Sequence, residues 1–184
     1  MTIGPDTSLT ELAFIVGSAL HHAGICAVLS GGSAAAVYAP MENQSRDLDF
    51  ILGYWSAFGV SAQCVTDLGF QERNGSYMHP GTSFTLEFPQ GPLMIGSELI
   101  TDWTTLRHDG MVLQILSPTD CVRDRLSWFL FYNSADYSAL EQALAVAGRH
   151  EIDLAMIRAW AAANGASDRY AIFEARYLSG PPNG

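Results

Sequence analysis

The sequence predicts an α+β protein in which strands and helices alternate over residues 1–116 and helices alone follow over residues 117–180. Short apolar runs separated by glycine turns indicate strands in the first part. After Ser117-Pro118 the apolar residues recur at helical spacing. With 184 residues, 48% of them hydrophobic, the chain is long enough for one buried core and short for two. We therefore expect one compact unit, with the helical region packed on the α/β part.

A helix opens the α/β part. Thr7 or Ser8 is a suitable N-cap, apolar residues recur at helical spacing as far as His22, and Gly24 is a stop signal. A strand follows over residues 25–30 and ends at a glycine-rich turn. The next predicted elements are a short helix over 34–38, a strand over 48–52 and a helix over 55–68.

Two hairpins are predicted from Asn-Gly and Asp-Gly pairs between short apolar runs. Their strands cover residues 70–73 with 77–79 and residues 104–108 with 111–116, and a further strand covers 83–88. Ser117 can cap the next helix, and Pro118 suits its first turn. This helix should run to about residue 132, and three more are predicted over 137–147, 154–163 and 168–177.

The charge balance excludes several classes of function. The formal net charge is -10, which argues against a general nucleic-acid or anionic-membrane surface, because both need basic residues. All nine basic residues are arginine, so lysine chemistry such as Schiff-base formation is excluded. Phosphate contacts must come from arginine, backbone N–H groups or a metal ion. The N-terminus does not resemble a signal peptide and no apolar run approaches the ~18 residues of a membrane span, so we expect a cytoplasmic protein.

An acidic pair stands out in the second predicted strand. Asp47 and Asp49 flank Leu48, and alternate side chains of a strand share a face, so the two carboxylates lie roughly 7 Å apart at Cα on one face. Carboxylates at this spacing can bind one or two divalent cations, and Mg²⁺ fits because it combines a few carboxylates with water and substrate phosphate. The alternative is that these acids cap neighbouring turns.

The turn before the short helix supplies a second feature. Gly31 and Gly32 permit close approach of a ligand to the backbone, and a helix that starts near Ser33 points free N–H groups and its positive dipole end outward. A triphosphate can bind there, with the Ser33 hydroxyl as a further contact. The alternative is an ordinary strand-to-helix turn. A dinucleotide-binding fold is not favoured, because the sequence lacks G-x-G-x-x-G.

This combination resembles the nucleotidyltransferase superfamily of the polymerase-beta type. Gly32-Ser33 is followed after thirteen residues by Asp47-Leu48-Asp49-Phe50, which matches the two-part family motif. Ser45-Arg46 resembles the branch that contains minimal nucleotidyltransferases and abortive-infection toxin-like proteins. The resemblance implies a mixed sheet flanked by helices, followed by a small helical bundle.

The resemblance also implies a third carboxylate from a later strand, for which Glu87 is the candidate, although aspartate is more usual there. Glu87 is alternatively a surface acid on an edge strand. Arg46 either neutralises the neighbouring aspartates or reaches a phosphate. Arg123 and Arg125 form surface ion pairs, or one of them contacts the nucleotide, and Arg123 is taken as that contact.

The predicted function is Mg²⁺-dependent transfer of a nucleoside monophosphate from a nucleoside triphosphate such as ATP to an acceptor hydroxyl. Asp47, Asp49 and Glu87 would be the catalytic and metal-binding residues, with two ions expected. The acceptor is unidentified, and long nucleic acid is the least expected one. The alternative is a catalytically degenerate protein that acts as a binding or regulatory partner, as in toxin–antitoxin pairs. Either a homodimer or a separate protein partner is compatible with the sequence.

Overall fold

A computed structural model describes residues 2–40, 45–53, 58–132 and 137–180, and it confirms the α+β class. The longer described strands are β1 (Ala27–Ser30), β2 (Asp47–Leu52), β8 (Thr104–His108) and β9 (Met111–Ile115). The shorter ones are β3 (Gln71–Arg73), β4 (Ser76–Met78), β5 (Thr85–Glu87), β6 (Met94–Ile95) and β7 (Glu98–Leu99). The described helices are α1 (Leu9–His22), α2 (Gly31–Tyr38), α3 (Phe58–Asp67), α4 (Pro118–Ser127), α5 (Ser138–Arg149), α6 (Leu154–Ala163) and α7 (Ser167–Ser179).

Seven strands form one mixed sheet in the order β3-β4-β5-β2-β1-β9-β8. Strand β2 is antiparallel to β1 and parallel to β5, so the acidic strand lies in the middle of the sheet. Both predicted hairpins are present. Asn74 and Asp109 adopt positive φ angles of 54° and 48°, as expected for the first residue of an Asn-Gly or Asp-Gly turn.

Local sequence signals explain the helix boundaries. Ser8 caps α1 in a reciprocal capping box with Glu11, and Ser117 caps α4 by accepting the Asp120 N–H. The predicted turn at Gly31 proved shorter than expected, because α2 begins at Gly31 directly after β1. The start of the helix predicted over 55–68 lies outside the described residues. The helix predicted to reach residue 132 instead ends in a π-helical turn, Trp128–Tyr132.

One continuous apolar core connects the sheet with the later helices. Leu48 and Phe50 of β2 and Leu86 of β5 are fully buried on one face of the sheet, together with Leu126 of α4 and Leu140 of α5. Because these side chains share one core, α4 and α5 pack firmly against α2, which in turn packs on β1 and β2. The division of the chain at residue 116 stays a prediction.

The small two-stranded sheet of β6 and β7 was not predicted from the sequence. It packs against α4. Across the described residues, none of the helices combines the length and apolar character needed to cross a lipid bilayer.

Candidate active site

Neighbouring strands bring the predicted carboxylates onto one face of the sheet. In the parallel pairing of β2 with β5, Asp49 is the register partner of Glu87, and Asp47 is the partner of Thr85. Leu48 and Leu86 are also partners and point into the core. Alternation along both strands therefore places Asp47, Asp49 and Glu87 together on the opposite face.

Two of these carboxylates accept hydrogen bonds from hydroxyl groups. Thr85 Oγ1 donates to Asp47 Oδ1, and Ser76 Oγ donates to Glu87 Oε1 at 2.7 Å. Within the described part of the chain, no set of three His, Cys, Asp or Glu side chains is arranged around a common point suited to a metal ion. Simultaneous ligation by all three acids therefore requires a change in their side-chain conformations.

Asp49 has the most perturbed environment of the three acids. Burial, followed by the negative charges of Glu87 and Asp47, raises the pKa of Asp49 from 3.8 to about 6. The positive charge of Arg125 opposes this increase only in part. A cation next to Asp49 would lower the cost of its negative charge, which is the electrostatic condition expected at a metal or cationic-ligand site.

The Asp49 carboxylate lies against the start of α2. Gly31 has φ +67°, and a Cβ at this position would lie only 2.7 Å from Asp49 Oδ2. Glycine is therefore favoured at position 31 by its backbone conformation, and any larger residue would also displace the Asp49 carboxylate. The backbone at the N-terminus of α2 and the acidic face of β2 consequently share one small region.

Ser33 stabilises the contact between the first turn of α2 and β2. Its hydroxyl donates to Ser30 O at 2.8 Å and accepts the backbone N–H of Asp49 at 3.2 Å, and the side chain is fully buried. The sequence interpretation assigned this hydroxyl to a phosphate. The structure instead shows it joining the first turn of α2 to β2, so any phosphate contact from Ser33 would have to use its backbone N–H.

Two helices of the C-terminal region contribute polar side chains beside Gly32. A Cβ at position 32 would lie 3.5 Å from Gln142 Nε2 and 3.8 Å from Arg125 Nη1. Arg125 also donates to Asp124 Oδ2 through Nε at 3.1 Å and Nη2 at 2.8 Å, and to Gln142 Oε1 at 3.4 Å. Arg125 is thus a positioned cation next to the glycine turn.

Arg123, the arginine taken as the nucleotide contact, is not brought to the site. Its side chain is 1% exposed and pairs with Asp120 at 2.9 Å and with Glu98 of β7. The guanidinium also lies over the Trp160 ring, 5.3 Å from its centroid. Its surroundings make Arg123 a buried link between α4, α6 and the small sheet, and Arg125 is the arginine beside the turn.

The residues just before β2 lie close to the same turn. Ser45 Oγ donates to Asp47 O at 3.0 Å and would lie 3.5 Å from a Cβ at position 32. Arg46 is exposed, and its carbonyl accepts the N–H of Thr85 at 2.9 Å. The backbone of Arg46 therefore helps to align β5 with β2, while its side chain is accessible from solvent.

The mixed sheet, with a glycine turn beside an acidic central strand, is the arrangement that the nucleotidyltransferase resemblance implied. Solved structures support this at the level of the fold. A crystal structure of an antigenic nucleotidyltransferase-like protein from Paracoccidioides brasiliensis is similar over 78% of this chain and 77% of that chain, with TM-score 0.59 and 14% identity. The solution structure of the antibiotic-resistance factor ANT(2'')-Ia is similar over 92% of this chain and 96% of that chain, with TM-score 0.57 and 16% identity.

The chain therefore has the nucleotidyltransferase fold, and at these identities the likeness extends to the fold alone. No protein-family model matches the chain, and no curated protein sequence matches it either.

Sequence reasoning did not find the polar residues that neighbour the acids and the turn. Ser76 and Thr85 are hydroxyl residues in short strands, and Gln142 is a polar residue on an otherwise apolar face of α5. Only Gln142 carried a usable signal, since a half-buried amide among buried alanines interrupts the apolar stripe of that helix.

Proposed function

We propose that this protein is a nucleotidyltransferase, which transfers a nucleoside monophosphate from a nucleoside triphosphate to an acceptor hydroxyl and depends on Mg²⁺. The observation that carries the proposal is the pairing of Asp49 with Glu87 on adjacent parallel strands, directly beside the glycine-rich start of α2. Anion-binding backbone and paired carboxylates are the two components that metal-assisted phosphoryl chemistry needs at one point.

The chemistry of the donor set fits Mg²⁺. Asp47, Asp49 and Glu87 offer carboxylate oxygens, the ligands that Mg²⁺ prefers, and a cation would offset the burial and the neighbouring negative charges that raise the pKa of Asp49. Asp47 and Glu87 would exchange their hydroxyl partners for the ion. When bound, Mg²⁺ would neutralise phosphate charge and polarise the reacting phosphorus.

The residues of this chain have separate roles in the proposed reaction. The N–H groups at the start of α2 and the Arg125 guanidinium hold the phosphates, while Ser33 and Gln142 fix the positions of β2 and Arg125. The acceptor oxygen forms a bond to the α-phosphorus as the bond to the pyrophosphate oxygen breaks. Glu87 accepts the proton that the acceptor hydroxyl loses, and pyrophosphate leaves.

The acceptor is the open part of the proposal. One protein of similar fold is described as an antibiotic-resistance factor, so small hydroxyl-bearing antibiotics are a sensible first panel, followed by a protein side chain, a tRNA end and a nucleotide. The net charge of -10 makes long nucleic acid the least suitable acceptor.

The test is Mg²⁺-dependent release of pyrophosphate from each of the four nucleoside triphosphates in the presence of the acceptor panel. The double variant with Asp47→Ala and Asp49→Ala is expected to lose at least 100-fold in rate, on the scale of removing a major electrostatic element of an active site. A matched control replaces the exposed Asp67 and Asp102 by alanine. Equal rates for wild type and the site variant would refute the proposal.

A second candidate function is a non-catalytic binding or regulatory protein with the same fold. The hydroxyl bonds that occupy Asp47 and Glu87 favour it, because they satisfy two of the three acids without an ion. Calorimetry distinguishes the two candidates. An active site should give Mg²⁺-dependent heat with a triphosphate, whereas a degenerate site should give none.

A further inference from the structure

An aromatic pair stands exposed at the end of α4. Trp128 and Tyr132 stack on each other with ring centroids 5.5 Å apart and an interplanar angle of 26°. Trp128 is 46% exposed and Tyr132 is 73% exposed. Large aromatic side chains normally lie buried, so two stacked rings facing solvent are a feature that folding alone does not explain.

The arrangement of α2 and α4 locates this pair in front of the site. The Tyr38 hydroxyl donates to Leu116 O at 2.6 Å, so the C-terminal end of α2 lies beside the chain just before α4 begins. At its other end, Gly32 lies beside Arg125. The two helices therefore run antiparallel, so the residues after Arg125 continue in the direction of the N-terminal end of α2.

Helical geometry gives the distances along this extension. Trp128 and Tyr132 lie three and seven residues beyond Arg125, which places them at most about 4.5 and 10 Å further along the axis, because a π-helical turn rises less per residue than an α-helix. Asp124, Trp128 and Tyr132 follow one another at intervals of four residues and form one ridge on the helix. Asp124 accepts two hydrogen bonds from Arg125, which lies beside Gly32, so this ridge begins next to the candidate site.

The π-helical turn holds the pair in place. Phe129 and Leu130 of this turn are buried, and the Leu130 carbonyl accepts a hydrogen bond from Arg169 Nη1. The Arg169 guanidinium also lies over the Phe129 ring at 5.3 Å. The Leu130 carbonyl is thus hydrogen-bonded, and the exposed rings are carried by a turn that is anchored in the core. Single π-helical turns within α-helices are frequently found at functional sites.

We propose that Trp128 and Tyr132 form a stacking platform for the nucleobase of the triphosphate. This inference rests on the proposed function. With phosphates at Gly31, Gly32 and Arg125, the base lies further out along α4, within the span of one nucleotide. A flat, uncharged π surface is suited to a base and unsuited to phosphate, and stacking of this kind tolerates any of the four bases.

The experiment is calorimetry in Mg²⁺ with each nucleoside triphosphate and with inorganic tripolyphosphate, which has no base. The double variant with Trp128→Leu and Tyr132→Leu keeps apolar area but removes the π faces. It should bind the nucleotides about tenfold or more weakly and bind tripolyphosphate as wild type does. The double variant with Trp128→Phe and Tyr132→Phe should stay within about threefold of wild type. The Leu178→Ala variant, at an exposed apolar position on α7, is the control, and thermal unfolding verifies that each variant is folded.

The outcomes test the stacking platform separately from the proposed nucleotidyltransferase function. Unchanged nucleotide affinity in the leucine variant, or an equal loss for tripolyphosphate, overturns the platform and leaves the nucleotidyltransferase proposal standing. Equal affinity of the wild-type protein for nucleotides and for tripolyphosphate also overturns the platform alone, because the base then contributes nothing to binding. A wild-type protein that binds neither probe overturns the proposed function, and the platform with it.

Discussion

Replacing Asp49 by asparagine is expected to stabilise the folded protein at neutral pH while it abolishes nucleotidyl transfer. The cause is the pKa of Asp49, which burial and the charges of Glu87 and Asp47 raise from 3.8 to about 6. The proton binds more tightly in the folded than in the unfolded chain. Asp49 therefore favours folding below about pH 4, and this contribution is lost as the pH rises to about 6.

The size of the effect follows from that difference of roughly two pKa units, which corresponds to about 3 kcal/mol for an unscreened charge. Asp49 is only half-buried, so solvent screening reduces the expected gain to about 1–1.5 kcal/mol. For a chain of this size, the melting temperature of the asparagine variant should rise by about 3–5 °C at pH 7.5. Asparagine is nearly isosteric and does not titrate, so the gain should disappear near pH 4.

Differential scanning calorimetry at pH 7.5 and pH 4 measures this, with Asp102→Asn as the control at an exposed acid. The reasoning is refuted if the Asp49 variant melts at or below the wild-type temperature at pH 7.5, or if its gain is the same at both pH values. Stability gained by removing a functional charge would be an example of the usual opposition between stability and activity.

Three further substitutions test the surroundings of the site. Gly31→Ala should lower the free energy of unfolding by about 1–2 kcal/mol because of its positive φ, and by a further amount because the new Cβ collides with the Asp49 carboxylate. Gly24→Ala, at φ +73° with open space around it, should show the backbone cost alone in chemical denaturation. Equal losses of stability in the two variants would contradict the collision. Arg123→Gln should lower the melting temperature by about 6–12 °C, because it removes a buried cation from its partners. Arg125→Gln should leave stability nearly intact and weaken Mg-ATP binding in calorimetry. The opposite pattern would reverse the roles of the two arginines. Ser33→Ala should destabilise by about 1–2 kcal/mol in urea unfolding, because the partly buried N–H of Asp49 loses its Ser33 acceptor. An unchanged midpoint would argue against the joining role of Ser33.

Local signals in the sequence were sufficient for the elements that carry the site. The alternation in Asp47-Leu48-Asp49 predicted which face of β2 is acidic, and the glycine pair predicted the turn between β1 and α2, although α2 begins at Gly31 and not near Ser33. The Asn-Gly and Asp-Gly turns fixed both hairpins, because each pair readily supplies the required positive φ angles.

Contacts between distant segments could not be obtained in this way. Which of Arg123 and Arg125 faces the glycine turn depends on the rotation of α4 against α2 and α6, and a single helix pattern does not specify this rotation. The exposure of Trp128 and Tyr132 depends on the π-helical turn, which has no sequence signature of its own. The pairing of β6 with β7 depends on packing against α4, since strands of two residues carry too little periodicity to recognise.

Arg123 and Arg125 also have a mechanical consequence, because they are two residues apart on one rigid helix. The first is held inside the molecule by Asp120, Glu98 and Trp160, and the second lies beside Gly32 at the glycine turn. The position of Arg125 relative to this turn is consequently set by interior packing before any substrate binds. Binding of the proposed nucleotide should therefore cost little conformational entropy at Arg125. A mutation in the interior that loosens Arg123 should weaken nucleotide binding at the surface.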